Sequence, residues 1–293
     1  MQGLIIENIS NLYKVKSGEN IYTTTARGKF KKEDITPVVG DLVKIAEINE
    51  EKKEAVIDEI LPRKNYVKRP KVANISQLVF VLSSKHPKPD LLMLDKQLAF
   101  AEFLNIKSII VLNKIDLDKE TEFKQIKKIY ENVGYKVIET QANAGSGVKE
   151  LVKLMKNNIN VFSGNSGVGK STLINSIFNE NLTMEGEISQ KNKRGKNTTT
   201  SIKLYEIDEN TYIADTPGFS TFEISEIETT ELEKCFKEFK QYIKDCEFVG
   251  CTHIKEENCG IKNAVEAGKI NLDRYNRFVR IYSELKDKEN KKW

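Results

Sequence analysis

The stretch Gly164-Asn165-Ser166-Gly167-Val168-Gly169-Lys170-Ser171 decides how the rest of the chain is read. It has the form G-x-x-x-x-G-K-S, the phosphate-cradling loop of P-loop nucleotide hydrolases. Its glycines let the backbone turn tightly and aim several N–H groups at one anion. A helix starting near Lys170 adds its positive dipole end. Lys170 is expected to reach the β- and γ-phosphates, Ser171 to ligate Mg²⁺, and Thr172 to extend the nucleotide contacts. The apolar run 158–163 before the loop suits the buried strand such a loop must follow. After it, Leu173, Ile174 and Ile177 share one helical face. A chance Gly/Ser-rich turn would not need both flanks.

Working outward, the alternation of apolar strands and helices begins at Ser76. Strands are predicted at 77–82, 108–112 and 136–138, and helices at 91–104, 123–133 and 148–155. This pattern implies a mostly parallel sheet with helices on both faces. Asn113-Lys114-Ile115-Asp116 directly follows the strand at 108–112. N-K-x-D is the guanine-reading signature of GTPases. A carboxylate at Asp116 can accept from both guanine N1–H and the exocyclic amine, a donor pair that adenine lacks. The stem of Lys114 can cover the purine face, and Asn113 can tie neighbouring loops together.

Downstream stands Asp215-Thr216-Pro217-Gly218, after a predicted strand at 211–214. Asp215 suits the carboxylate that orients Mg²⁺, and the Gly218 N–H suits a γ-phosphate sensor. The polar stretch 185–200 between the P-loop and this motif ends in Thr198-Thr199-Thr200 and reads as a switch. Thr199 is assigned to Mg²⁺, although Thr198 and Thr200 are equivalent on sequence alone. The base-reading motif precedes the phosphate motifs, the reverse of the usual GTPase order. A circularly permuted domain satisfies this, because position in a sheet and order along a chain are separable.

Residues 1–68 hold five β-rich stretches separated by polar turns, which fits a small barrel of the OB type. Tyr22, Arg27, Lys29, Phe30, Lys31 and Lys32 could line a nucleic-acid face. They could equally be a solvated loop beside a core tyrosine. Arg63, Lys64, Lys68, Arg69 and Lys71 flank a connector that reads either as a phosphate-touching linker or as a solubilising hinge.

In the last segment, Cys246, Cys251, His253 and Cys259 form C-x4-C-x-H-x5-C. Three thiolates and an imidazole suit tetrahedral Zn²⁺. The spacing differs from common fingers, so buried cysteines beside an incidental histidine are the alternative. Cys235, on a predicted helix at 229–242, reads as core. A helix at 271–285 carries Arg274, Arg277 and Arg280 at spacing three, either a phosphate-facing stripe or a solvated face.

The net charge of +4 over 293 residues permits an anionic partner without demanding one. No apolar run reaches the roughly eighteen residues a membrane span needs. The N-terminus, Met1-Gln2-Gly3-Leu4, lacks the basic start and apolar stretch of a secretory signal. A cytoplasmic protein with no membrane partner is expected.

Together, the β-rich start, N-K-x-D before G-N-S-G-V-G-K-S before D-T-P-G, and C-x4-C-x-H-x5-C resemble the RsgA family of circularly permuted GTPases. The resemblance covers nearly the whole chain. It implies a multidomain α/β protein: an OB domain (1–68), a permuted GTPase domain (69–225) and a helical zinc domain (226–293). It further implies GTP hydrolysis stimulated by the 30S ribosomal subunit, contacts with 16S rRNA, a role in late 30S maturation and a monomeric state. The implied cofactors are Mg²⁺ with GTP and one structural Zn²⁺.

One departure stands out. The family commonly has G-R-H-T-T-T at the first switch, with the histidine proposed to assist hydrolysis. Here Asn197 takes that place in Gly195-Lys196-Asn197-Thr198. Asn197 can hydrogen-bond a water but cannot act as a base at neutral pH. Phe219 stands where Ras-like enzymes carry a water-orienting glutamine. Weak intrinsic hydrolysis is therefore expected, and a nucleotide-gated RNA-binding module with incidental hydrolysis is the second reading. A P-loop ATPase is disfavoured by Asp116. His86, in Lys85-His86-Pro87, reads as a loop residue.

Overall fold

The structure is a computed structural model and describes residues 1–32, 35–118, 122–185, 202–215 and 226–291. Strands β1 (Gln2–Ile9), β2 (Leu12–Ser17), β3 (Asn20–Ala26), β4 (Leu42–Asn49) and β5 (Glu54–Ile60) form a barrel, with the short helix α1 (Lys29–Lys32) after β3. The strand order is β1-β2-β3-β5-β4, and β4 returns to β1 through the pairs Gln2↔Lys44 and Leu4↔Leu42. Alternate residues point inward, as the two-residue period of a strand requires. Tyr13 and Val15, Val43 and Ile45, and Ala55 and Ile57 are all buried.

For Tyr22 the barrel decides in favour of the core-tyrosine alternative, and for Phe30 it corrects the surface reading. Tyr22 and Phe30 are core residues, 7% and 5% exposed, and so offer no stacking platform. Arg27 pairs with Asp58 at 2.8 Å. The side chains of Lys31 and Lys32 lie outside those described. The connector is a folded hairpin, β6 (Tyr66–Lys68) and β7 (Lys71–Ala73), with Val67 and Val72 buried. Arg63 grips buried Asp41 through two bonds of 2.7 and 2.8 Å and lies over the Tyr66 ring at 4.7 Å. The connector is not a free hinge, because the paired carboxylate and the buried valines anchor it, while Lys64, Lys68, Arg69 and Lys71 remain exposed.

The second unit is a sheet in the order β10-β9-β8-β11-β13-β12: β8 (Gln77–Ser83), β9 (Lys107–Asn113), β10 (Lys136–Thr140), β11 (Ile159–Ser163), β12 (Lys203–Asp208) and β13 (Thr211–Asp215). The first five in that order run parallel, and β12 adds antiparallel to β13. Among the described residues, the strand pair Glu7↔Lys203 joins this sheet to the barrel. Every residue of β8 and β11 is buried, as expected for strands covered on both faces. Leu78, Phe80 and Leu82 point to one face, under α2 (Leu91–Phe103) and α3 (Glu122–Val133). Val79 and Val81 point to the other, under α4 (Val148–Met155) and α5 (Lys170–Glu185).

The C-terminal segment packs onto the α2 face. Its start is a series of 3₁₀ turns at Leu232–Cys235, Lys237–Phe239 and Ile243–Asp245, not the continuous helix expected over 229–242. Over so short a run the apolar spacing does not separate three residues per turn from 3.6. Cys235 is buried, as expected. Two helices follow, α6 (Gly260–Glu266) and α7 (Leu272–Asn290), the latter capped by Asn271 accepting from the Arg274 N–H at 3.0 Å. Phe236, Phe239 and Phe278 interlock with ring centroids 4.8–5.2 Å apart. Among the described residues, no helix is long and apolar enough to cross a membrane.

Candidate nucleotide site and metal centre

The P-loop leaves the end of β11 and enters α5. Gly164 has φ +148, and a Cβ there would lie 2.3 Å from the Val81 carbonyl oxygen. Gly169 has φ +97, and a Cβ there would lie 2.4 Å from Asn113 Nδ2. Glycine is therefore required at both positions for space as well as for backbone angle. The loop residues Ser166 and Gly167 are exposed and Asn165 is half-buried, while Val168 anchors in the core. Lys170 folds back, donating to the carbonyls of Gly164 at 2.5 Å and Asn165 at 3.0 Å. Burial lowers its pKa, because desolvation disfavours the charged ammonium. Ser171 and Thr172 stand exposed on the first turn of α5.

The N-K-x-D loop leaves β9, two strands away, and reaches across to the P-loop. Asn113 is 1% exposed and donates through Nδ2 to the Val168 carbonyl at 3.0 Å. Its Oδ1 accepts from Thr140 Oγ1 at 3.0 Å and from the Ala142 N–H at 3.3 Å. One buried amide thus joins three loops. Lys114 has φ +62 and donates through Nζ to the Gly167 carbonyl at 2.6 Å and to the His86 carbonyl at 3.0 Å. Asp116 is exposed at the mouth.

These loops enclose a cavity of about 240 Å³ lined by Asn113, Lys114 and Asp116 from one motif and by Gly169 and Thr172 from the other. Leu117 also lines it, and Gln141, Ala142 and Asn143, which were not anticipated from the sequence, form the rest of its wall. Their signal is positional only: they follow β10 where its neighbour β9 ends in Asn113, with Thr140 and Asn113 in register. Asp215 closes β13 opposite Lys203. Asn197, Thr199 and Gly218 lie outside the described residues.

The sulfur and nitrogen atoms of Cys246, Cys251, His253 and Cys259 all lie within 4.8 Å of one another. His253 Nδ1 is 3.3 Å from Cys259 Sγ and 3.6 Å from Cys246 Sγ. Its Nε2 faces Glu233 Oε2 at 2.6 Å, which turns Nδ1 toward the sulfurs. His253 is held in a left-handed conformation, and its carbonyl accepts from Tyr275 Oη at 2.7 Å. Burial pushes the Cys251 thiol up to about 12 and raises Cys259 as well. A cation held by these residues would supply the charge that buried thiolates otherwise lack. The donor set, three sulfurs and one nitrogen, fits one tetrahedral zinc ion.

The arginine stripe of α7 is corrected by the structure. Arg274 is 1% exposed and ion-pairs with Asp95 and Glu238. Burial works against its charge, and the two carboxylates outweigh it, so its pKa rises. Arg277 Nε also meets Asp95, at 2.5 Å. Only Arg280 remains largely exposed. Apolar spacing does not reveal such pairing, because Asp95 is far away in sequence.

Comparison with known proteins agrees with this geometry. A family model for the RsgA GTPase matches residues 60–225, and one for the RsgA N-terminal domain matches residues 2–57. The small ribosomal subunit biogenesis GTPase RsgA of Ruminiclostridium cellulolyticum is 42% identical over 97% of this chain and 94% of its own. That of Clostridium acetobutylicum is 43% identical over 100% of both. Among solved structures, YjeQ from Thermotoga maritima has a TM-score of 0.85 at 34% identity, covering 97% of this chain and 98% of its own. YloQ, a circularly permuted GTPase, has a TM-score of 0.82 at 32% identity, covering 98% of this chain and 95% of its own. With both family models matched in order and full-length relatives at this identity, the chain belongs to the RsgA family of circularly permuted GTPases.

Proposed function

We propose that this chain binds GTP in the cavity between the P-loop and the N-K-x-D loop, hydrolyses it to GDP and phosphate, and serves the biogenesis of the small ribosomal subunit. The observation that carries the reading is the Lys114 Nζ–Gly167 O contact of 2.6 Å, which draws a base-reading loop and a phosphate-cradling loop around one cavity. In this reading Asp116 accepts from the guanine edge, and Asn113 and Lys114 hold the base-reading loop. The backbone N–H groups of Asn165, Ser166, Gly167, Val168 and Gly169 face the phosphates, with Gly164 giving the turn into the loop. Lys170 exchanges its two carbonyl partners for phosphate oxygens. That exchange is favourable because a buried ammonium gains an anion. Thr172 borders the base side.

Ser171 and Thr199 would hold Mg²⁺, with Asp215 orienting it, and the ion would supply charge neutralisation for phosphoryl transfer. Water attacks the γ-phosphorus, the bond to the β–γ bridging oxygen breaks, and the proton passes to solvent or phosphate. Gly218 senses the γ-phosphate, and Asn197 hydrogen-bonds the attacking water without taking its proton. Cys246, Cys251, His253 and Cys259 hold one structural Zn²⁺. The protein acts as a cytoplasmic monomer on the 30S subunit and its 16S rRNA.

Turnover with purified 30S, with 50S and with no ribosome tests this. Stimulation by 30S alone is expected, and fast turnover without it contradicts the reading. A second reading, RNA binding gated by nucleotide with incidental hydrolysis, draws on Asn197 and Phe219. Single-turnover kinetics on the subunit separates the two.

A further inference from the structure

Helix α2 contacts the last residue of β11, just before the P-loop, and also packs on the C-terminal helix α7, and the segment before it reaches the N-K-x-D loop. Before it, the segment leading from β8 places the His86 carbonyl on Lys114 Nζ at 3.0 Å, and Ser84 Oγ donates to the Lys114 carbonyl at 3.0 Å. In its middle, Gln97 Nε2 donates to Ser163 Oγ at 2.9 Å, with both residues buried. Ser163 is the last residue of β11, immediately before Gly164 of the P-loop.

On another face of the same helix, Asp95 is 0% exposed and collects three donors. They are Arg274 Nη1, Arg277 Nε at 2.5 Å, and Tyr130 Oη at 2.7 Å. The next residue, Lys96, pairs with Glu284 of α7. Residues 95 and 97 are about 200° apart around a helix, so they face opposite sides of a body only about 10 Å across. A shift of α7 that carries Asp95 therefore moves Gln97 as well, because a packed helix translates as a unit.

We propose that α2 couples the docking of the C-terminal segment to the geometry of the nucleotide pocket. Asp95 takes up the position of α7, and Gln97 is the positioning residue that hands it to the P-loop through Ser163. The inference rests on the pocket being the guanine-nucleotide site. This route runs through α2 and does not need residues 216–225, which join β13 to the C-terminal segment along the chain. An ion-pair cluster suits such a joint, since removing one partner leaves a buried charge uncompensated and makes the docked arrangement all-or-none. Coupling of this kind is reciprocal: if docking of α7 strengthens nucleotide binding, bound nucleotide must strengthen docking by the same factor.

The test is a double-mutant cycle read as GDP affinity in the full-length zinc-loaded protein. Arg277→Ala and Gln97→Ala are suitable, since Arg277 is 15% exposed and, among the described residues, pairs with Asp95 through Nε, whereas fully buried Arg274 risks the fold. Each single variant is expected to weaken GDP binding by roughly three- to tenfold. The double variant should be no weaker than the weaker single, because the second change cuts a route already broken. Arg277→Lys, which keeps the charge on Asp95, should recover most of the affinity. Hydrogen exchange along 272–290 should slow when GDP is added to the wild type but not to Gln97→Ala. A merely structural role would lower melting temperature without these patterns. Single variants within twofold of wild type, a double variant equal to the product of the singles, or α7 exchange indifferent to GDP in the wild type would each overturn the inference alone. A wild type that binds no guanine nucleotide overturns the pocket assignment and the inference with it.

Discussion

Asn113 Nδ2 lies 3.0 Å from the Val168 carbonyl, so the base-reading loop and the P-loop share a buried amide although 55 residues separate them. With Lys114 reaching Gly167, this pins the separation of the two loops before any nucleotide arrives. A preformed gap lowers the ordering cost of binding.

Asp116→Asn should weaken GTP binding on the order of a hundredfold, because an amide cannot accept from both guanine donors and a charged hydrogen-bonding group is lost. Xanthosine triphosphate, which presents a carbonyl where guanine presents its amine, should bind the variant better than GTP does. Competition between the two triphosphates measures it. Unchanged preference would remove Asp116 from the base site.

Gly169→Ala should disable the pocket while sparing the barrel. The new methyl would sit 2.4 Å from Asn113 Nδ2 at φ +97. Left-handed backbone alone costs a non-glycine residue about 1–2 kcal/mol, and the clash also breaks the Asn113 bridge. A lower melting temperature together with lost GDP binding is expected. Full affinity in the variant would show that the loop is not used as drawn.

The ammonium of Lys170 carries a pKa lowered by burial from the ordinary 10.5. A lysine depressed in the folded state binds fewer protons there than in the unfolded chain between its two pKa values. Stability of the nucleotide-free protein should therefore rise with pH through the range just below 10.5. Bound triphosphate should remove that rise by stabilising the charged form. Comparing melting curves of wild type and Lys170→Met across alkaline pH isolates the effect; parallel curves would exclude it. Lys170→Ala should also weaken triphosphate binding or turnover.

One zinc per chain should be found by elemental analysis, and Cys259→Ser should lose it. Glu233→Gln leaves the four donors intact but removes the carboxylate that orients His253, so zinc affinity should fall roughly 10- to 100-fold. A protein purified under reducing conditions with well under one equivalent of zinc would contradict the assignment.

Asn197→His introduces the base that the family pattern has at this place. General-base assistance is commonly worth roughly a hundredfold or more, and a gain of at least about tenfold in single-turnover hydrolysis is expected. No gain would mean that proton removal does not limit the reaction.

The sequence alone carried the order of the motifs, the parallel sheet, the barrel and the Cys/His cluster. Each depends on short-range features: strand-length apolar runs, glycines at turn positions, and ligands a few residues apart. Such features act within a few residues and can be read there. The fates of Phe30, Arg63, Arg274 and Arg277 were not legible, because each is settled by a partner distant along the chain. Burial put Phe30 in the core and decided between the two alternatives for Tyr22. Asp95 turned two arginines of a supposed surface stripe into a buried ionic joint. The part played by Gln141 to Asn143 waited on β10 lying beside β9. Local chemistry is written in neighbouring residues, whereas burial and charge pairing exist only once the chain has brought remote segments within a few ångströms.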